Sequence, residues 1–244
     1  MKTAVLSILM FLLFSAGDFK SEQMKYTRVK EAYQDKEQSL RQLYEEKGVD
    51  FSAFSLFIRV FKYEKELELW ARNNKGKYTL INTYEVCSAS GYPGPKRKMG
   101  DYQVPEGFYH IDRFNPYSSY HLSLGLNYPN ASDKILSDAK SPGGDIFIHG
   151  YCASIGCMAM TNDKIKEIYI AAVEARNNGQ SQIPVHIFPF RMSEEKLKLF
   201  SEHYKDYPSL LTFWQNLQPG YDHFEKNKQL PSIGISNTGS YKIN

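Results

Sequence analysis

The spacing of apolar positions changes several times along the chain, and each change marks an element. Over residues 22–47 they are sparse (Val29, Tyr33, Leu40, Leu43, Tyr44) among Glu, Gln, Lys and Arg, which predicts a leading helix ended by Gly48. From Ser55 the spacing becomes that of strands. Leu56, Phe57, Ile58, Val60 and Phe61, then Leu67, Leu69 and Trp70, predict two strands joined by a turn over 62–66. Asn73-Asn74-Lys75-Gly76 makes the next turn, before a strand over 78–86. Residues 90–105 form a loop rich in Gly, Pro and basic residues. Strands over 107–111 and 120–126 flank Arg113-Phe114-Asn115-Pro116, residues 127–144 are irregular, and a short strand covers 146–148.

The second half is helical by period. Thr161 or Asn162 caps a helix to about Arg176, with Ile165, Ile168, Tyr169 and Ala172 on one face and a stop at Asn177-Asn178-Gly179. Residues 183–189 read as a strand whose prolines suggest a sheet edge. Ser193 caps a helix over 194–203, and another covers 207–217. Beyond Gly220 the chain turns polar, and its last dozen residues look loosely held. The expected fold class is α+β: a mostly β core with an N-terminal helix and C-terminal helices. The division that follows is a leader over 1–17, a leading helix over 18–50, a core over 51–190 and a helical extension with tail over 191–244.

Composition narrows the function classes. The 244 residues include 18 Tyr and 15 Phe, ample for a packed core. The net charge of +3 is small and its basic residues are scattered, which argues against a nucleic-acid partner. Lys2, an apolar run over 4–14 and then Ser15-Ala16-Gly17 have the layout of a secretory signal, too short to span a bilayer comfortably. Export to the periplasm or cell envelope is expected, with membrane attachment only through an uncleaved signal. No cysteine near the junction speaks for a lipoprotein. The chain has three cysteines, Cys87, Cys152 and Cys157, so at least one thiol is left over from any intramolecular pairing. Whether Cys87 and Cys152 pair is open at this level.

The candidate chemistry lies in one stretch. Asp145-Ile146-Phe147-Ile148 delivers His149-Gly150 at a strand end, and eight residues after the histidine comes Cys157, in Ser154-Ile155-Gly156-Cys157. A thiol attacks carbon as thiolate, and a nearby imidazole can take its proton. Cys157 is therefore the candidate nucleophile and His149 its base, with the Gly150 carbonyl holding the imidazole in one tautomer. Gly156 permits a sharp turn, and the N–H groups around Gly156 and Cys157 are candidates for an oxyanion hole. The competing reading is a buried structural thiol and histidine. A zinc held by His149, Cys152 and Cys157 lacks a fourth ligand, so neither a metal nor a cofactor is expected. On this reading Cys152→Ser should spare activity. His186 reads as a core or edge residue, and Lys96-Arg97-Lys98 as a solvated run that can also attract an anionic substrate.

His-Gly followed by Ser-x-Gly-Cys resembles the active-site signature of the L,D-transpeptidase (YkuD-type) catalytic domain. Ser90-Gly91, Gly94-Pro95-Lys96, Gly100-Asp101, the run from Val104 through Tyr109, Asn127-Tyr128-Pro129-Asn130 and Val185-His186-Ile187-Phe188-Pro189-Phe190 are similar to the YafK-like branch of that family. The likeness covers about residues 54–190. It implies a β-rich bacterial cell-wall enzyme acting on peptidoglycan stem peptides. Cys157 falls on the nucleophile, His149 on the proton acceptor and donor, Gly150 on the orienting carbonyl, and Ser154 and Gly156 on the loop that shapes the cysteine turn. Ile155 and Ala159 stand where many members carry histidine and arginine, and the His-to-Cys spacing is shorter. The expected activity is an exported cysteine acyl-transfer through a thioester. Alternatives are hydrolytic release of a peptide or wall-attached lipoprotein, and a catalytically silent wall-binding module.

Overall fold

The computed structural model describes residues 18–244, and the signal segment expected over 1–17 lies outside them. Six helices are present among the described residues: α1 (Asp18–Gln23), α2 (Thr27–Glu46), α3 (Ala131–Leu136), α4 (Asn162–Asn177), α5 (Glu194–His203) and α6 (Pro208–Asn227). The strands are β1 (Phe54–Phe61), β2 (Glu66–Asn73), β3 (Thr79–Glu85), β4 (Gly107–Asn115), β5 (Ser123–Leu126), β6 (Phe147–His149), β7 (Met158–Ala159), β8 (Ile183–Phe188), β9 (Ile233–Ile235) and β10 (Tyr241–Ile243). The α+β expectation holds. No described helix is long and apolar enough to cross a membrane.

One eight-stranded mixed sheet, in the order β3-β2-β1-β8-β4-β5-β6-β7, carries the molecule. Beyond β3, Ser88 bridges Ala159 of β7, so the sheet curls back on itself and its two ends meet at a seam. The middle strands are buried on both faces. Leu56, Ile58 and Val60 join the core under α2 and α4, while Phe61 and Phe188 join a second core with α5 and α6. Each fully buried Leu, Ile or Val contributes about 2 kcal/mol of transfer free energy, so both helical layers are held by the same strands. α4 presents Ile165, Ile168, Tyr169 and Ala172 to the first core, as its period predicts, and Thr161 caps it by accepting the Lys164 N–H.

Five expectations need correction. The leading helix is two helices, broken between Gln23 and Thr27. β8 lies inside the sheet between β1 and β4, with its parallel register to β1 beginning at Val185. Pro184 thus falls just outside that ladder, and the Gln180 side-chain amide takes both the N–H and the C=O of Leu56 where a strand partner would. Residues 127–144 contain α3, whose signal is a capping box between Asn130 and Asp133. Finally, α6 runs straight through Pro219 and Gly220. A Cβ at Gly220 would meet the Phe108 ring at 2.6 Å, so this glycine permits close packing and does not stop the helix. The tail is held as well. Asn216 brackets the N–H and C=O of Tyr241, the buried Tyr241 hydroxyl accepts from Asn130, and β9 and β10 pair as a hairpin.

Candidate active site

His149 ends β6, and its backbone is clamped from both sides. It pairs with Ser123 of β5 and Ala159 of β7, while Gly150 donates to the Leu122 carbonyl. Gly150 is crowded: a Cβ there would lie 2.7 Å from Asn162 Oδ1 and 3.0 Å from Ile165 Cγ2, so only glycine lets the chain pass under α4. His149 Nδ1 stands 2.6 Å from the Gly150 carbonyl. A carbonyl only accepts, so Nδ1 carries the hydrogen and Nε2 keeps its lone pair. The imidazole is buried, with the Tyr120 ring at 4.6 Å. Burial lowers its pKa below 6.5, and the Gly150 carbonyl opposes this in part.

The short parallel pairing of β6 with β7, just after Cys157, brings the thiol into the same cavity as the imidazole. Ser154 is the hub of the turn. Its hydroxyl accepts the Gly156 and Cys157 N–H groups at 3.2 and 2.8 Å and donates to the Cys157 carbonyl at 2.7 Å. Gly156 has φ +133°, which favours glycine. The two N–H groups expected to face an oxyanion are thus occupied by Ser154 Oγ. The thiol lies 3.7 Å from the Asp145 carbonyl, to which it donates. Burial raises its pKa above 9.0, whereas the Phe147 N–H and the Lys96 ammonium favour the thiolate. Lys96 is not a solvated residue as expected. It is buried, bonded to Asp101 at 2.7 Å and to the Lys98 carbonyl at 2.9 Å.

His149 and Cys157 line one cavity of about 350 Å³, together with Tyr120, Asp145, Phe147 and serines of the loop before β5. Sequence reasoning missed Tyr120, the Asp145 carbonyl and the Phe147 N–H. It also missed Arg28 of α2, which donates to the carbonyls of Ser118 and His121 and so props the cavity-lining loop. His121 itself does not line this cavity, and His186 sits in the core against Phe57 and Phe108.

Cys87 and Cys152 form a disulfide, which joins the chain after β3 to the loop between His149 and Cys157. Cys152 is therefore spent, and the zinc set of His149, Cys152 and Cys157 does not assemble. Cys157 is the free cysteine.

Residues 57–187 match the L,D-transpeptidase catalytic domain family, YkuD. Over 190 residues the chain is 37% identical to the protein named "Putative L,D-transpeptidase YafK" in Escherichia coli (strain K12), and equally to its namesake in Escherichia coli O157:H7. The alignment covers 77% of this chain and 73% of each relative. Among solved structures it is similar to the helical cell shape determining protein Pgp2 from Campylobacter jejuni, with TM-score 0.46, 19% identity and coverage of 81% and 80% of the two chains. Bdellovibrio bacteriovorus Bd1075 gives TM-score 0.40 at 24% identity, over 75% and 78%. With most of its sheet inside the matched span, and at this identity to curated relatives, the chain belongs to the L,D-transpeptidase catalytic domain (YkuD) family.

Proposed function

We propose that the protein is an exported cysteine acyl-transferase that acts on peptidoglycan stem peptides, with residues 51–190 as its catalytic unit and 191–244 as a helical extension. The observation that carries this reading is the shared cavity of Cys157 and His149, with the imidazole's Nδ1 hydrogen committed to Gly150. That commitment leaves Nε2 as the base. Sulfur attacks the carbonyl of a stem-peptide bond as its proton passes to Nε2. The oxyanion takes the Cys157 N–H in place of the Ser154 hydroxyl, and His149 protonates the departing amine. The thioester then passes to an acceptor amine. Water as acceptor turns the same intermediate into a hydrolase that releases peptide, or a protein attached to the wall.

The test is mass spectrometry of sacculus digests after incubation with the protein and with its Cys157→Ala variant. New cross-links or exchanged terminal amino acids, present only with Cys157, are expected. Products that gain only water assign hydrolysis. Identical digests from the two proteins would sink the reading in favour of a wall-binding module.

A further inference from the structure

A second cavity, of about 490 Å³, is larger than the one at Cys157. Three parts of the chain wall it: the β1–β2 turn with Tyr63 and Lys65, the loop after β3 with Tyr92, and α5 with Phe200 and His203, followed by Tyr204. Four rings therefore share one concavity. Tyr63 packs edge-on against Phe200 at 5.0 Å, and Phe200 stacks with Tyr204 at 6.3 Å. Phe200 is buried, yet Tyr63 and Tyr92 are 57% and 76% exposed. A lone exposed tyrosine needs no explanation, but several lining one groove mark a binding surface.

Charge narrows the occupant. The lining includes Lys62, Lys65 and His203 and no carboxylate. Lys62 is committed to the buried Glu106 at 3.0 Å, whereas Lys65 is exposed and makes no ion pair with the described residues. A ligand that offers flat apolar ring faces and carboxylates meets both features. The groove also adjoins the candidate site through one residue. Gln103 accepts the Tyr92 N–H at 3.2 Å through its side chain, and its carbonyl lies 3.5 Å from where a Cβ on Gly156 would stand. Gln103 thus links the wall of the groove to the turn that carries Cys157.

We propose that this groove binds glycan strands from which the stem peptides have been removed, with sugar rings on Tyr63 and Tyr92 and a freed lactyl carboxylate on Lys65. The identity of the polymer rests on the acyl-transfer reading, while the groove and its chemistry do not. The test uses the full chain carrying Cys157→Ala, so that no turnover intervenes, titrated with stem-free glycan oligomers whose lactyl groups end in carboxylates. Saturable binding is expected, with Tyr92 protected from surface oxidation as the groove fills. Kd should rise at least tenfold in Tyr63→Ala/Tyr92→Ala and also rise in Lys65→Glu. Thermal melting of each variant separates lost binding from lost fold. An absence of saturable binding, an unprotected Tyr92 or equal affinity in a folded double variant would overturn the proposal. Because binding is read without catalysis, its failure is distinct from a failure of the acyl-transfer reading, which would show as no Cys157-dependent product.

Discussion

Burial acts on the two candidate catalytic side chains in opposite directions: it raises the thiol of Cys157 and lowers the imidazole of His149 from their ordinary values. Both shifts favour the neutral forms, so on the proposed mechanism the proton crosses from sulfur to Nε2 as attack occurs and not beforehand. This departs from the thiolate–imidazolium pair that the residue types suggest on their own. The sign of the pH dependence follows. Below the imidazole's pKa, His149 is protonated and cannot accept, so kcat/KM should fall toward acid with a midpoint below that of a free imidazole. Thiolate absorbance near 240 nm in the free protein should appear at higher pH than for a free cysteine thiol. A thiolate already present at pH 6 would show that the resting pair is ionic and that burial does not govern it.

At the scale of elements, the site lies at the seam where the sheet closes. β7 is two residues long and touches the far end of the sheet through the single Ser88–Ala159 bridge. The Cys87–Cys152 bond staples that seam beside the bridge, spanning a sequence separation of 65. Closing a loop of that size stabilises the fold by about 4 kcal/mol in the chain-entropy account. The bond also fixes the loop whose ends are His149 and Cys157. Cys87→Ser/Cys152→Ser should therefore lower the melting temperature and cut kcat by about tenfold or more, the opposite of the tolerance that the sequence alone suggests for Cys152→Ser. Wild-type protein treated with reductant should behave as the double variant does. Unchanged kcat in a double variant that is merely less stable would confine the disulfide to stability.

At the scale of the whole molecule, the C-terminal segment is a second helical layer built onto the sheet. Gly220 lets α6 lie against Phe108, and Asn216 pins β10. Gly220→Ala forces that ring to move, and overpacking of this kind costs about 1–3 kcal/mol. A lowered urea midpoint at unchanged m-value checks it, and a midpoint equal to wild type would mean that the layer is loosely packed. The signals misread in the sequence share a cause. Pro219-Gly220 and Pro184 carry local stop signals, and both are overridden by tertiary contacts: the Phe108 ring in one case and the Gln180 amide in the other. β7 is too short to leave a period, whereas the Asn130–Asp133 capping box is a local signal that the sequence does carry. The His149–Cys157 constellation was readable because it occupies one continuous stretch. Tyr120, Arg28 and Lys96 reach it from separate parts of the chain, which no local pattern encodes.

The central claim is that Cys157 carries the acyl group. Intact-protein mass spectrometry of the full chain, quenched in acid during turnover of stem tetrapeptides, tests it most directly. The account predicts an added mass equal to the acyl fragment, mapped by digestion to Cys157, lost on treatment with hydroxylamine and absent from Cys157→Ala and His149→Ala. Turnover that persists in Cys157→Ala, or an adduct on any other residue, would contradict it.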